Sequence, residues 1–477
     1  MAPGRSIALI LAALAVAAAS PAVPQADAPL CLECLSLRVE APVIVRGPFP
    51  DELDSPFTAL RLPDGSLRGF SSNAAVYAID GPSLDAMSGK RRTVFEPGAP
   101  GSESDCGRWL NGLVESGGTL FGLIHREKSC DYDKGQTHKS MALGRSDDGG
   151  MSWSETGTII AGPDAATSGK GTGIGDCSWV DGHDGHRYAY CLRLLDWKTI
   201  VARAPATDLA PGQWRNYFEG GWSEDAIGGK AASLGFLGTA AGYFETLDRV
   251  GLIAVDPWFG GVRLALSRDK FTFETFAEPL IPIDGGDWAR PAVTDLIAYP
   301  ALLDPETGAT DLGEDFLLSY TYLAPGATFA DRYLVLQRVG LREDAAPPGI
   351  QAGIALTRWQ NEARGATRSS TGPLIPSPGL RQDRKLGYLL TKAPADVPSL
   401  KLEECEARNG GYRLVADGTC APRGDRRLRT AGWVLADERE GTMPLYRCND
   451  GKAEFTSNDA ACESQGTVIE RLGFALR

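Results

Sequence analysis

Short runs of β-branched and aromatic residues between Gly, Asn and Asp punctuation predict an all-β chain, a five-bladed β-propeller followed by a small disulfide-pinned β repeat domain. Three observations carry this. The strands Ala75–Ile79, Met141–Arg145, Ile200–Arg203, Val262–Leu266 and Tyr333–Gln337 recur about every 60 to 70 residues, the period of a four-stranded blade rather than of a helical solenoid repeat. With 57 Gly and 31 Pro in 477 residues, many short strands and turns are favoured over long helices. The last hundred or so residues carry their own repeat, Leu386–Leu390, Ala431–Leu435 and Leu472–Leu476, at intervals of 45 and 41.

The elements follow in order. Arg5 precedes an apolar run from Ile7 to Ala19 and then small residues and Pro, so residues 1–27 read as a secretory signal peptide and the mature protein as secreted or periplasmic. Residues 28–350 form the propeller, which at about 60 residues per unit accommodates five blades. Residues 351–384, rich in Gly, Pro, Ser and Thr around the apolar stretch Ile354–Trp359, read as a closing strand and linker, and 385–477 as the C-terminal module. No later stretch is long and apolar enough for a transmembrane helix. The net charge of −13 and the lack of a basic window argue against a nucleic-acid partner. Oligomeric state is left open.

Ten cysteines in an exported chain read first as disulfides. A bridge across a hairpin joins residues equidistant from its turn. Cys106 and Cys130 are centred on Gly118, and Cys177 and Cys191 on Asp184. Cys405 and Cys420 flank Asn409-Gly410-Gly411, Cys448 and Cys462 have a similar span, and Cys31 with Cys34 closes a small local ring. Sequential pairing is favoured over a shuffled one.

Ser146-Asp147-Asp148-Gly149-Gly150-Met151-Ser152-Trp153 fits the Asp-box pattern at every specified position. Asp148 can accept backbone hydrogen bonds across the turn, Gly150 can take a conformation costly for other residues, and Trp153 can pack between sheets. Weaker echoes are Thr207-Asp208 to Trp214, Ser267-Arg268-Asp269 to Phe273, and Ser83-Leu84-Asp85. On this motif and the period, residues 36 to 345 resemble the sialidase-like, Asp-box β-propeller superfamily. The resemblance implies a fold and a secreted, glycoside-hydrolase-like protein, with Ser146, Asp148, Gly150 and Trp153 structural.

In such a wheel, first strands start and second strands end on one face. That rule places Asp54, Asp105, Asp176 and Asp295 at first-strand starts, and His125-Arg126-Glu127, Asp196 and Asp256-Pro257-Trp258 at second-strand ends, around a common mouth with Trp109 and Trp288 nearby. Carboxylates and aromatic faces suit a sugar. Glu127 is the candidate general acid, because the apolar strand before it should bury it and raise its pKa. Asp176, after the glycines of Gly173-Ile174-Gly175 that would let substrate approach, is its partner, and Asp105 a third catalytic candidate. His125, Arg126, Asp54, Asp196, Asp256, Trp258 and Asp295 are candidate substrate-binding residues.

The function expected is a secreted glycoside hydrolase acting on a neutral glycan; the alternative is a non-catalytic propeller binding carbohydrate or a surface. A sialidase is disfavoured: Arg46-Gly47-Pro48 matches that family's Arg-x-Pro, and Arg46, Arg126, Arg290 and Arg332 could supply an arginine triad, but an acid-rich mouth would repel a carboxylate-bearing sugar. The acid-rich mouth is closer to arabinanase and fructanase propellers in architecture. A polysaccharide lyase would need His125 as base. Four His without ligand spacing predict no metal site and no cofactor, with room for a calcium ion at acidic loops.

Overall fold

The computed structural model describes residues 31–477 except Phe49, Glu52, 257–260, 283, 285–294, 344–349, 362–364 and 417. The proposed signal peptide, Pro257, Trp258, Trp288 and Arg290 therefore lie outside the described residues. The described chain is all-β, interrupted only by short 3-10 turns.

Two N-terminal strands, β1 (Ser36–Val39) and β2 (Val43–Arg46), precede a series of antiparallel meanders. The first is β3 (Thr58–Arg61), β4 (Leu67–Asn73), β5 (Ala75–Gly81) and β6 (Arg92–Phe95). The second is β7 (Gly107–Ser116), β8 (Thr119–Asp131), β9 (Gln136–Ser146) and β10 (Ser154–Ala161). The third is β11 (Gly171–Asp181), β12 (His186–Arg193), β13 (Lys198–Pro205), β14 (Arg215–Phe218) and the added strand β15 (Gly221–Asp225). The fourth is β16 (Ala240–Phe244), β17 (Arg249–Asp256), β18 (Gly261–Ser267) and β19 (Glu274–Thr275). The fifth is β20 (Leu296–Leu303), β22 (Asp315–Leu323) and β23 (Tyr333–Arg342), after which β1 and β2 return to pair with β23; the short β21 (Asp311–Leu312) joins β16 instead.

Apolar clusters bind these sheets in cyclic order. Phe70 and Val76 of the first pack with Leu110, Ile124 and Trp153 of the second. Met141 and Ile160 pack with Trp179 and Ile200 of the third, and Tyr188 and Val201 with Tyr243 and Leu252 of the fourth. Phe244 and Ile253 pack with Leu302 and Phe316 of the fifth, and Leu303, Leu317 and Leu336 return to Phe57, Leu67 and Ile79 of the first. Residues from β3, β7, β11, β16 and β20 line one shared cavity of about 310 Å³, so the first strand of every meander faces a common axis.

The turn from third to fourth strand repeats around the ring. Asp148 Oδ1 accepts the Met151 and Ser152 N–H groups (both 2.9 Å), and the Trp153 indole N–H donates to the Gly150 carbonyl at 3.1 Å. Gly150 has φ +86°, and a Cβ there would lie 2.5 Å from the Phe70 ring of the neighbouring sheet. At the same position after β18, Asp269 accepts from Phe271 and Thr272 N–H. After β13, Asp208 accepts from Ala210 N–H and Trp214 donates to the Leu209 carbonyl.

The five disulfides join Cys31–Cys34, Cys106–Cys130, Cys177–Cys191, Cys405–Cys420 and Cys448–Cys462, and among the described residues no cysteine is free. They fit an oxidising compartment. No described helix is long and apolar enough to cross a membrane. Cys177–Cys191 closes a loop of 14 residues within the core between the second and third sheets. Replacing both cysteines by Ser is expected to cost about 3 kcal/mol, read as a lower urea midpoint.

Within residues 351–384, where the sequence suggests a closing strand and linker, the first of three similar units begins. Each is long, short, long: β24 (Ala352–Asn361), β25 (Ala366–Ser370) and β26 (Leu380–Leu390); β27 (Ser399–Glu406), β28 (Tyr412–Ala416) and β29 (Arg426–Leu435); β30 (Thr442–Asn449), β31 (Glu454–Ser457) and β32 (Thr467–Leu476). The long third strands meet pairwise at Leu390–Trp433, Leu435–Phe474 and Tyr388–Leu476. The Thr, Gly, Pro and Ser of residues 371–379 serve the connection from β25 to β26 in the first unit, which lacks a disulfide. β24 also runs parallel to β1, so the units continue the fifth sheet and share one apolar core with it.

Candidate active site

Four of the candidate residues, Asp54, His125, Glu127 and Asp176, meet at the end of the axis where the first strands start. On β8, alternation sends His125 and Glu127 to one face and Arg126 to the other. Glu127 Oε1 lies 3.1 Å from His125 Nε2 and 3.3 Å from Lys139 Nζ, and its Oε2 accepts the Tyr132 hydroxyl at 2.7 Å. The Asp176 N–H donates to His125 Nδ1 at 2.9 Å, which assigns the remaining imidazole proton to Nε2, where it donates to Glu127. Lys139 Nζ, on β9, donates to Asp176 Oδ2 at 2.7 Å, bridging the second and third sheets. Gly175 makes this possible, since a Cβ there would lie 2.6 Å from the His125 ring. The glycines before Asp176 thus admit His125 and the β9 backbone, not substrate as the sequence suggests.

Asp176 and Tyr299 both sit at register shifts in the first strands β11 and β20, with φ +49° and +50°. Bulges re-aim side chains, and left-handed backbone at bulky residues is strain that surrounding structure must hold. Tyr299 donates to Asp54 Oδ1 at 3.1 Å, and Arg332 pairs with the same oxygen. Asp54 lies just before the first meander, Tyr299 and Arg332 belong to the fifth, and their contact closes the site across the seam between the two.

The carboxyls are driven apart in proton affinity. Burial raises Asp54, against the pull of Arg332 and Tyr299, and the charge of Glu127 adds to the rise. Burial also acts to raise Glu127 and Asp176, but Lys139 and His125 outweigh it and both end below the ordinary carboxylate range. The side chains of Asp54 and Asp176 are 27% and 29% exposed, whereas that of Glu127 is only 9% exposed. Two reachable carboxyls with opposed proton affinity therefore flank a buried, ionised third.

Several expectations change. Glu127 is buried as expected, but the Lys139 cation and the hydrogen bonds from His125 and Tyr132 keep it ionised, so it is not placed as a proton donor. Arg126 faces away from the site, bonded to Ser140, Thr158 and Glu155. Asp196 sits in the exposed β12–β13 turn, held by Arg193 at 2.9 and 2.7 Å. Asp295 is bound by Tyr322 and Arg429, at the junction with the C-terminal units. Asp105 accepts the Gly101 N–H and lies beside the Cys106–Cys130 bridge, making no direct bond to the three central carboxyls. Asp256 ends β17. Arg46 is bound by Asp51 and the Met87 and Gly89 carbonyls, so Arg46, Arg126 and Arg332 do not converge. His125 is 3% exposed with both nitrogens bonded, which removes the lyase base.

Sequence reasoning missed Lys139, Tyr132 and Tyr299 and gave Arg332 another role. Tyr299 had a signal: Pro300 inside an apolar strand marks an edge strand or a bulge. Among the described residues, no group of three or more His, Cys, Asp or Glu is arranged to hold a metal ion.

The sequence matches no family profile and no curated protein sequence. Among solved structures, the chain is similar to the catalytic domain of a GH62 α-L-arabinofuranosidase from Coprinopsis cinerea, at 12% identity over 64% of this chain and 98% of that one, with a TM-score of 0.42. It is similar to an α-L-arabinofuranosidase from Lactobacillus brevis at 12% identity, covering 61% and 92%, TM-score 0.40. An endo-arabinase from Bacteroides thetaiotaomicron shows 13% identity, 64% and 99% coverage, TM-score 0.39.

Proposed function

We propose that the protein is an exported glycoside hydrolase built on a five-bladed propeller and acting on a neutral glycan. The observation that carries this is the pair of reachable carboxyls, Asp54 raised and Asp176 lowered in proton affinity, brought from different sheets to one end of the axis. Glycosidic cleavage needs such a pair, one to protonate the leaving oxygen and one to supply negative charge opposite it. Asp54 is the acid. Asp176 is the partner, activating water or attacking the anomeric carbon. Glu127, Lys139 and His125 are positioning residues that hold Asp176 ionised and aimed. A neutral sugar is favoured because Lys139 is bound to the ionised carboxylates of Asp176 and Glu127, for which an acidic sugar would have to compete. The Asp148 turn and its echoes support a likeness in local turn design to the Asp-box propellers.

The test is product release from a panel of neutral polysaccharides and aryl glycosides. The wild type is expected to cleave at least one member, and Asp176→Asn to lose that activity. A chain that binds a panel member without cleaving any would instead be a carbohydrate-binding propeller.

A further inference from the structure

The three C-terminal units and the rim of the fifth sheet enclose a cavity of about 860 Å³, away from the carboxyl site. Each unit supplies one carboxamide to its wall: Asn361, Asn409 and Asn449. Each also supplies cations: Arg368 from the first, Arg413, Arg426 and Arg429 from the second, and Lys452 from the third. Among the described lining residues the only carboxylate is Glu454.

The counter-charges stand mostly behind the wall. Glu404, fully buried, pairs with Arg368 and lies 3.3 Å from Arg429, and Asp425, 5% exposed, lies 3.4 Å from Arg413. Asp295 holds Arg429 at 3.0 Å, and Glu406 pairs with Arg426. A guanidinium has five N–H groups, and a carboxylate behind it fixes its orientation while occupying at most two. The Asn409 and Asn449 side-chain oxygens accept N–H groups of Gly411 and Gly451, which leaves their amide hydrogens as donors. The wall is therefore rich in donors and poor in acceptors. Trp359 and Tyr412 add aromatic surface, with the Arg368 guanidinium 4.5 Å from the centre of the Tyr412 ring. In a chain of net charge −13 this is a local reversal of sign.

We propose that this cavity binds an oligosaccharide bearing carboxylate or sulfate groups, the anionic oxygens meeting the guanidinium and amide donors and a sugar face meeting an aromatic side chain. The site does not depend on the hydrolase reading. A module that binds an acidic glycan would hold the exported protein to a charged polysaccharide matrix while the other site works on neutral chains.

Isothermal titration of the full chain tests it, with tetragalacturonate, a sulfated tetrasaccharide, xylotetraose and sodium sulfate as probes. One of the acidic tetrasaccharides is expected to bind, more weakly as salt rises; which one distinguishes carboxylate from sulfate recognition. Lys452→Glu and Asn409→Asp lie in exposed turns and should leave the melting temperature unchanged while weakening that binding by about tenfold each. Asp176→Asn, at the other site, should leave it unchanged, so failure of the hydrolase reading leaves this result standing. The proposal is overturned if neither acidic probe binds, if xylotetraose or sulfate alone binds as well, or if both turn variants bind like the wild type.

Discussion

Asp54→Asn is expected to lower the rate of hydrolysis of an unactivated glycan by about 10³-fold, the usual contribution of a positioned proton donor. The same variant should lose far less on an aryl glycoside whose leaving group departs without protonation. That contrast separates the acid from its partner: Asp176→Asn removes the negative charge opposite the leaving group and should impair both substrates. The pH profile follows from the two directions of shift. Asp54 works protonated and burial raises its pKa, so activity should fall as pH rises through that value. Asp176 works ionised and its pKa is lowered by Lys139 and His125 against burial, so the acid limb should lie below the ordinary carboxylate range. On the activated substrate, Asp54→Asn should abolish the alkaline limb and keep the acid one. Equal losses on both substrates, or an alkaline limb that survives the substitution, would assign the donor elsewhere.

The parts of this protein legible in its sequence are those whose chemistry is local. The Ser146–Trp153 turn, its echoes and the equidistant cysteines each depend on residues close along the chain, and their hydrogen bonds and bridges occur where spacing places them. Asp54, Asp176, His125 and Glu127 were found together because strand starts and strand ends share a rim. The error at Glu127 has a different origin: its burial was foreseen, but the sign of its shift depends on Lys139, twelve residues away on the next strand and unremarkable in sequence. Arg126 was misplaced for want of strict alternation. Asp295 was misplaced because its partner Arg429 lies in the C-terminal units, more than a hundred residues on, and nothing short of the fold brings them together. In the first of those units the sequence shows one closing strand and a linker, because turn-rich composition masks β25 and β26.

Lys139→Met is expected to cost about 3 kcal/mol of stability at pH 7, because it leaves the buried Glu127 and the half-buried Asp176 near one another with their shared cation gone. The size should depend on pH in a direction the wild type does not show. In the wild type both carboxyls have folded pKa values below their unfolded ones, so the stability they contribute is present above the unfolded carboxylate range and is lost as pH falls through the folded values. Without Lys139, burial and mutual repulsion act unopposed except by His125, and the two pKa values move upward. Protonation then relieves the variant, so the gap between variant and wild type should narrow as pH falls toward about 4, near the unfolded carboxylate values. Lys139 itself is raised, by Asp176 and Glu127 overcoming burial, so its contribution is complete below the unfolded lysine value and fades only as pH rises through the folded one. Urea unfolding at pH 7 and pH 4 measures both effects. A loss below about 1 kcal/mol at pH 7 would mean that the lysine is not the charge that holds these carboxylates, and a gap that stays constant in acid would mean that neither carboxyl takes up a proton in the variant over that range.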